Sequence, residues 1–131
     1  MIVSIMQPAY MPWLGYFDRI ARSDMHVVLN DVTMDMNSRT KFANRNKIRT
    51  PQGWTWLSVP VKSVSQSSKV LINEIEIAPN SNWSDKHLKT LHFNYSRSAY
   101  YSDYVSYFES FYTAKWDLLE PMLSESTRFL L

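Results

Sequence analysis

"MQPAYMPWLGYFDRI", residues 6–20, decides how the rest of the chain is read. Pro8 and Pro12, the rings of Tyr10, Trp13 and Tyr16, and one of the chain's two glycines, Gly15, all fall within it. A residue before proline is pushed to extended backbone, so 7–13 is a loop and not a helix. Upstream, the β-branched apolar run "IVSIM" (2–6) reads as a buried strand. Downstream, Leu14, Phe17, Ile20 and Ala21 recur at helical spacing and predict a short helix over 14–22. "HVVLNDV" (26–32) reads as a second buried strand. Strand, loop, helix and strand with so short a crossover predict two parallel neighbours joined right-handed, the beginning of an α/β sheet.

Residues 33–53 are polar with no clean period. "WTWLSVPV" (54–61) alternates enough for a strand, with Pro60 marking an edge or a terminus. After the polar loop "SVSQSSK" (63–69), "VLINEIEI" (70–77) reads as a half-exposed strand, and the two are expected to pair as a hairpin. Ser81 or Asn82 can cap a helix whose apolar face holds Leu88, Leu91 and Tyr95. A last helix from about Ser102 carries Tyr104, Phe108, Phe111 and Tyr112, and Pro121 is expected to end or kink it. The expectation is one α/β domain over 1–131. It comprises a small Rossmann-like sheet starting β-α-β, then a β-hairpin and two C-terminal helices.

The 131 residues are ordinary for one domain, and a 45% hydrophobic content suffices for a core. A net charge of +2 means that affinity for an anion has to come from a local patch. With no cysteine there is no disulfide, thiolate nucleophile or Cys-ligated metal. Two glycines cannot make a GxGxxG or Walker loop, and HExxH and GxSxG are absent. His26, His87 and His92 show no metal-ligand spacing, so neither a metal nor a cofactor is expected. The N-terminal apolar run is broken by Pro8, which is no signal peptide. No run approaches the roughly 20 apolar residues of a membrane span. A cytoplasmic protein without membrane insertion is the expectation.

Ligands of open α/β sheets bind outside the carboxyl ends of the strands. Gln7 sits at that edge. A loop stiffened by Pro8 and Pro12 and carrying Gln7, Tyr10, Trp13 and Tyr16 makes a pocket wall for substrate, or else a rigid turn whose rings are core. Gly15 is where the backbone could approach a ligand. Asp31 ends the second strand at the same edge, where it and Asn30 either could bind a ribose hydroxyl, a substrate amine or a metal, with Asp31 able to take a proton from the amine, or are ordinary turn residues. "NSRTKFANRNKIRT" (37–50) holds Arg39, Lys41, Arg45, Lys47 and Arg49 without an acid. Arginine suits bidentate binding of phosphate or carboxylate. The run is either an anion-binding loop folded over the carboxyl edge or a solvated surface loop; Arg39, Lys41 and Arg49 are read as solvated, and Asn44 and Arg45 are set apart as ligand contacts mainly by the family resemblance described below. His87 follows Trp83 by one turn and is the one histidine set beside Asp31 as a catalytic candidate.

The blocks "QPAYMPWLGYFDRIARSD", "VVLNDV", "NRNKI" and "WLSVPV", in this order over residues 7–61, resemble the WbqC-like protein family. A weaker likeness continues through Trp83, His87 and "YSRSAYY". The resemblance implies a bacterial protein of surface polysaccharide (O-antigen) biosynthesis, a transferase acting by acyl or aminoacyl transfer on a nucleotide-linked amino sugar. It matches Gln7, Pro8, Tyr10, Pro12, Trp13, Gly15 and Tyr16 to the opening motif, Asp31 to the second acid of a "DDV" stretch, and Asn44 and Arg45 to an "NR" pair. Asn30 replaces the first acid and Thr33 stands where glutamine is common. Many members continue with a helical second half. The partner expected is a small anionic ligand such as a nucleotide sugar. Nucleic acid is not expected, and a homodimer is allowed. The competing readings are a non-catalytic module for nucleic acid or protein, and a shortened relative that works only with a longer partner.

Overall fold

The computed structural model describes residues 1–34, 42–62, 70–79 and 81–131. Strands β1 (Val3–Met6) and β2 (Met25–Val28) pair in parallel, Val3 opposite Met25 and Met6 opposite Val28. Helix α1 (Leu14–Ala21) is the crossover. The β-α-β start is therefore present as read, in a two-stranded sheet.

The hairpin is not the expected one. Strand β4 (Gly53–Ser58) pairs antiparallel with β3 (Arg45–Thr50), Arg45 opposite Ser58 and Thr50 opposite Gly53. Gly53 closes the turn with φ of 128°, a conformation that a side chain resists. Strand β3 was invisible because only one of its inward residues, Ile48, is aliphatic; Asn46 and Thr50 share that face. The run 70–77 is instead a connecting segment. It forms a 3-10 turn at Ile72–Glu74 and isolated bridges, Thr33 with Leu71, Val61 with Ile77 and Glu76 with Leu118. Its three isoleucines, Ile72, Ile75 and Ile77, are buried. Arg39, Lys41 and the loop at 63–69 lie outside the described residues.

Helices α2 (Trp83–Tyr95), α3 (Tyr101–Thr113) and α4 (Leu119–Phe129) follow, one more than the sequence reading gave. Pro121 neither ends nor kinks a helix. It is the third residue of α4, in a first turn whose N–H groups have no intrahelical acceptor to lose. Asn82 precedes α2, but its amide donates to the Asp85 carboxylate at 3.4 Å instead of capping the backbone. Leu119, Met122, Leu123 and Ser126 recur at helical spacing on α4 and are all fully buried. Burial of each of those three apolar side chains is worth about 2 kcal/mol.

The core lies between the hairpin, the 70–77 segment and the three C-terminal helices, with Tyr10, Leu57, Val59, Ile72, Leu91 and Phe111 among its members. β1 and β2 are outside it. They were read as buried strands, yet Val3 is 41% exposed and Ile5 56%. The apolar content of these strands was legible; what they pack against was not.

Candidate functional site

The carboxyl ends of β1 and β2 stay together past the strands, since Leu29 N–H donates to the Met6 carbonyl at 2.9 Å. Gln7 leaves β1 here and Asp31 follows β2. The loop between β1 and α1 is tied to the start of the hairpin. Tyr10 N–H donates to the carbonyls of Phe42 (3.0 Å) and Ala43 (3.1 Å), and the Asn46 amide donates to the Met11 carbonyl. Met11 has φ of 44°, the left-handed region, for a side chain that precedes a proline. Such backbone strain costs on the order of 1–3 kcal/mol and persists only where surrounding bonds impose it.

Against this loop opens a pocket of about 530 Å³, walled by Gln7, Pro8, Trp13, Gly15, Tyr16, Arg19 and Phe42. Trp13 is half exposed and makes ring contacts with Tyr16 (5.7 Å) and Phe42 (5.2 Å). Its indole lies back over the first turn of α1: a Cβ on Gly15 would stand 3.1 Å from Trp13 Nε1. A side chain at Gly15 would therefore crowd the Trp13 indole by a few tenths of an ångström. Tyr16 is buried, which pushes its phenol above the ordinary value, so it stays protonated and donates to the Gln7 carbonyl at 3.3 Å. Arg19 is the only charged side chain among the described lining residues. An amide, a guanidinium and an indole face thus share one opening near the α1 N-terminus, whose field favours an anion.

Tyr10 and His87 are elsewhere, in the core. Tyr10 is fully buried and its hydroxyl meets His87 Nδ1 at 2.8 Å and the Tyr112 hydroxyl. The ring of His87 also bonds the backbone of Ser58. With a carbonyl taking the ring N–H, Nδ1 accepts from Tyr10, and Tyr10 accepts from Tyr112. Burial pushes His87 down to about 4, so at neutral pH it is uncharged. Burial also raises both tyrosines, and for Tyr10 the neighbouring Tyr112 hydroxyl acts in the same direction. Trp83, the ring that drew attention to His87, packs edge-on against it at 5.2 Å.

Asn44 and Arg45 belong to the hairpin. The Asn44 amide donates to the Val59 carbonyl at 2.9 Å while Val59 N–H donates to the Asn44 carbonyl at 2.7 Å, locking the base of the hairpin. The Arg45 guanidinium lies over the Trp56 ring at 4.2 Å. Lys47 Nζ lies 3.8 Å from the Trp54 centroid on the same face. Among the described residues the pocket brings together Gln7, Trp13 and Tyr16, and does not include Tyr10, Asp31, Asn44, Arg45 or His87. Sequence reasoning missed Arg19 and Phe42. Arg19 was findable, because it is four residues after Gly15 and so on the same helical face. Phe42 carried no signal, since its position depends on the register of β3. A second cavity of about 370 Å³, lined by Leu91, Tyr95, Tyr101, Tyr104 and Phe108 among others, has no charged group among its described lining residues to orient an anion. No group of three or more metal-ligating side chains is assembled among the described residues. None of their helices is long and apolar enough to cross a membrane.

No solved structure matches the chain. The Mycobacterium tuberculosis (strain ATCC 25618 / H37Rv) protein named "Uncharacterized protein Rv1507c" is 34% identical over 110 residues, which are 84% of this chain and 46% of the relative. The chain therefore spans about half the length of the curated relative it matches. The profile of one family covers residues 7–131, from the Gln7 that opens the pocket through the last helix, and by that match the chain belongs to the WbqC-like protein family.

Proposed function

We propose that this chain holds a small anionic ligand of the nucleotide-linked sugar type at the carboxyl edge of β1 and β2. Within surface polysaccharide biosynthesis, its family's suggested setting, the reaction is acyl or aminoacyl transfer to the sugar amine. The pocket beside Gln7, Trp13 and Arg19 carries this reading. Arg19 matches a phosphate in charge and geometry, the Gln7 amide both donates and accepts toward sugar hydroxyls, and Trp13 offers a face for a sugar or base. Asp31, exposed and on the same edge, is the base that takes the proton from the attacking amine. His87, buried and bonded on both sides, serves by holding Tyr10 and with it the loop.

A thermal-shift screen of nucleotide-linked amino sugars tests the reading. Stabilisation of the wild type that Arg19→Ala abolishes supports it. Equal stabilisation of both proteins, or none of the wild type by any nucleotide sugar, contradicts it.

The hairpin favours a second reading, a binding module. Arg45, Lys47, Trp54 and Trp56 share one face, with Trp54 58% exposed. Alternating cations and indoles suit a single nucleic-acid strand, whose bases stack and whose phosphates pair. Oligonucleotide binding that falls steeply with salt and is lost in Trp54→Ala separates this reading from the first.

A further inference from the structure

Phe42 belongs to two surfaces at once. It lines the pocket beside Gln7, and its ring stands 5.2 Å from Trp13 on the pocket side and 5.9 Å from Trp56 on the hairpin. Trp56 in turn meets Trp54 edge-on at 5.9 Å. Trp13, Phe42, Trp56 and Trp54 therefore form one row of touching rings, from the pocket onto the face of β3 and β4 that carries Lys47. The junction is held in place from both sides. Tyr10 N–H donates to the Phe42 carbonyl, and the Arg45 guanidinium lies over Trp56.

The far end of the row has its own charge. Lys47 Nζ stands 3.8 Å from the Trp54 centroid and 5.1 Å from that of Trp56. Lys47 is exposed and pairs with no carboxylate among the described residues. Trp54 keeps 58% of its surface in solvent, so a flat ring can pack on it. A row of rings with a cation at each end, Arg19 and Lys47, suits a ligand that carries rings on both sides of an anionic group. We propose that the pocket beside Gln7 is one half of a longer site, and that the Trp54 and Lys47 end takes the nucleobase half of a nucleotide-linked amino sugar whose sugar and diphosphate lie at Trp13 and Arg19. The inference rests on the ligand reading above and adds the requirement for a nucleoside. Stacking on an indole accepts any base, so this end selects for the presence of a base and not for its identity. A sugar phosphate without the nucleoside reaches only the pocket half.

Calorimetric titration of the whole chain with UDP-glucosamine and with the anomeric phosphate of glucosamine tests this. The wild type is expected to bind UDP-glucosamine roughly tenfold tighter than the sugar phosphate, the worth of one base–indole stack, and Trp54→Ala is expected to remove that advantage. Lys47→Gln is expected to weaken UDP-glucosamine roughly threefold, the effect of one exposed ion pair, and decides the matter should Trp54→Ala loosen the hairpin. Both variants should leave the sugar phosphate unchanged, whereas Arg19→Ala should weaken both ligands. Wild-type affinity for UDP-glucosamine in both Trp54→Ala and Lys47→Gln overturns the longer site, and the ligand reading then survives if Arg19→Ala still weakens binding. An equal loss of both ligands in Trp54→Ala also overturns it, because the hairpin would then act only through the shape of the pocket. An oligothymidine that binds in place of UDP-glucosamine, weakened by Trp54→Ala and indifferent to Arg19→Ala, overturns it as well, since a nucleic-acid strand would then be the occupant. No binding of UDP-glucosamine by the wild type contradicts both the longer site and the reading it rests on.

Discussion

Acidification is predicted to weaken this fold through His87. The ring is 6% exposed, and burial pushes it from its ordinary 6.5 down to about 4. In the unfolded chain the same ring is in water and titrates near its ordinary value. Between these two pKa values the unfolded state binds the extra proton and the folded state does not. Stability therefore falls as pH drops through about 6.5 toward about 4, and levels off once the native ring protonates as well. At ~1.4 kcal/mol per pH unit the full loss is on the order of 3 kcal/mol, against a total of ~5–15 kcal/mol for a typical domain. Carboxylates titrate in the lower part of this window, so the assay is a difference. Urea unfolding of wild type and His87→Gln is measured from about pH 7 to about pH 4.5. Glutamine can accept from Tyr10 and donate to Ser58, yet it does not titrate. The wild type should lose about 2–3 kcal/mol more than the variant across the window. Parallel profiles would refute the reasoning, and would mean that the imidazole is solvated or already paired with a charge.

Tyr10→Phe removes the middle of the Tyr112–Tyr10–His87 chain and leaves both outer groups without partners, so it should cost roughly 2–4 kcal/mol, more than the ~1 kcal/mol expected of Tyr112→Phe. Equal costs by chemical denaturation would show that the hydroxyls bond elsewhere. Gly53→Ala should cost about 1 kcal/mol or more, since φ of 128° is closed to a side chain although the space around it is open. A neutral or stabilising result would place the hairpin turn elsewhere.

Much of the fold could be read from short-range rules. The prolines at 8 and 12 and the helical spacing from Leu14 set the β-α-β start, and the structure has it with the expected parallel pairing. The hairpin was misplaced because β3 writes its alternation in Arg45, Asn46, Lys47, Ile48 and Arg49, where the inward residues are mostly polar. Those inward residues work through specific bonds, as Asn46 does to Met11, and hydrogen-bond partners leave no periodic trace. Pro121 was read as a stop because a proline inside an apolar pattern usually is one; the break between Thr113 and Leu119 makes it a first-turn residue instead.

The site was legible in part for the same reason. Gln7, Trp13 and Tyr16 are close in sequence to the strand end, and local geometry brings them to one pocket. Tyr10 belongs to the same loop but points the other way, into the core, a choice made by His87 some 77 residues later. The basic run singles out Arg45, which lies over Trp56, whereas among the described residues the guanidinium at the pocket is that of Arg19 on α1, outside any basic run.

The proposed function requires an anionic ligand at the edge beside Gln7. A crystal structure of the chain with a nucleotide-linked amino sugar tests it most directly. The diphosphate is expected at Arg19 and a ring of the ligand against Trp13, within the pocket of about 530 Å³. A ligand held on the Trp54 and Trp56 face instead, with this pocket filled only by water, would contradict it.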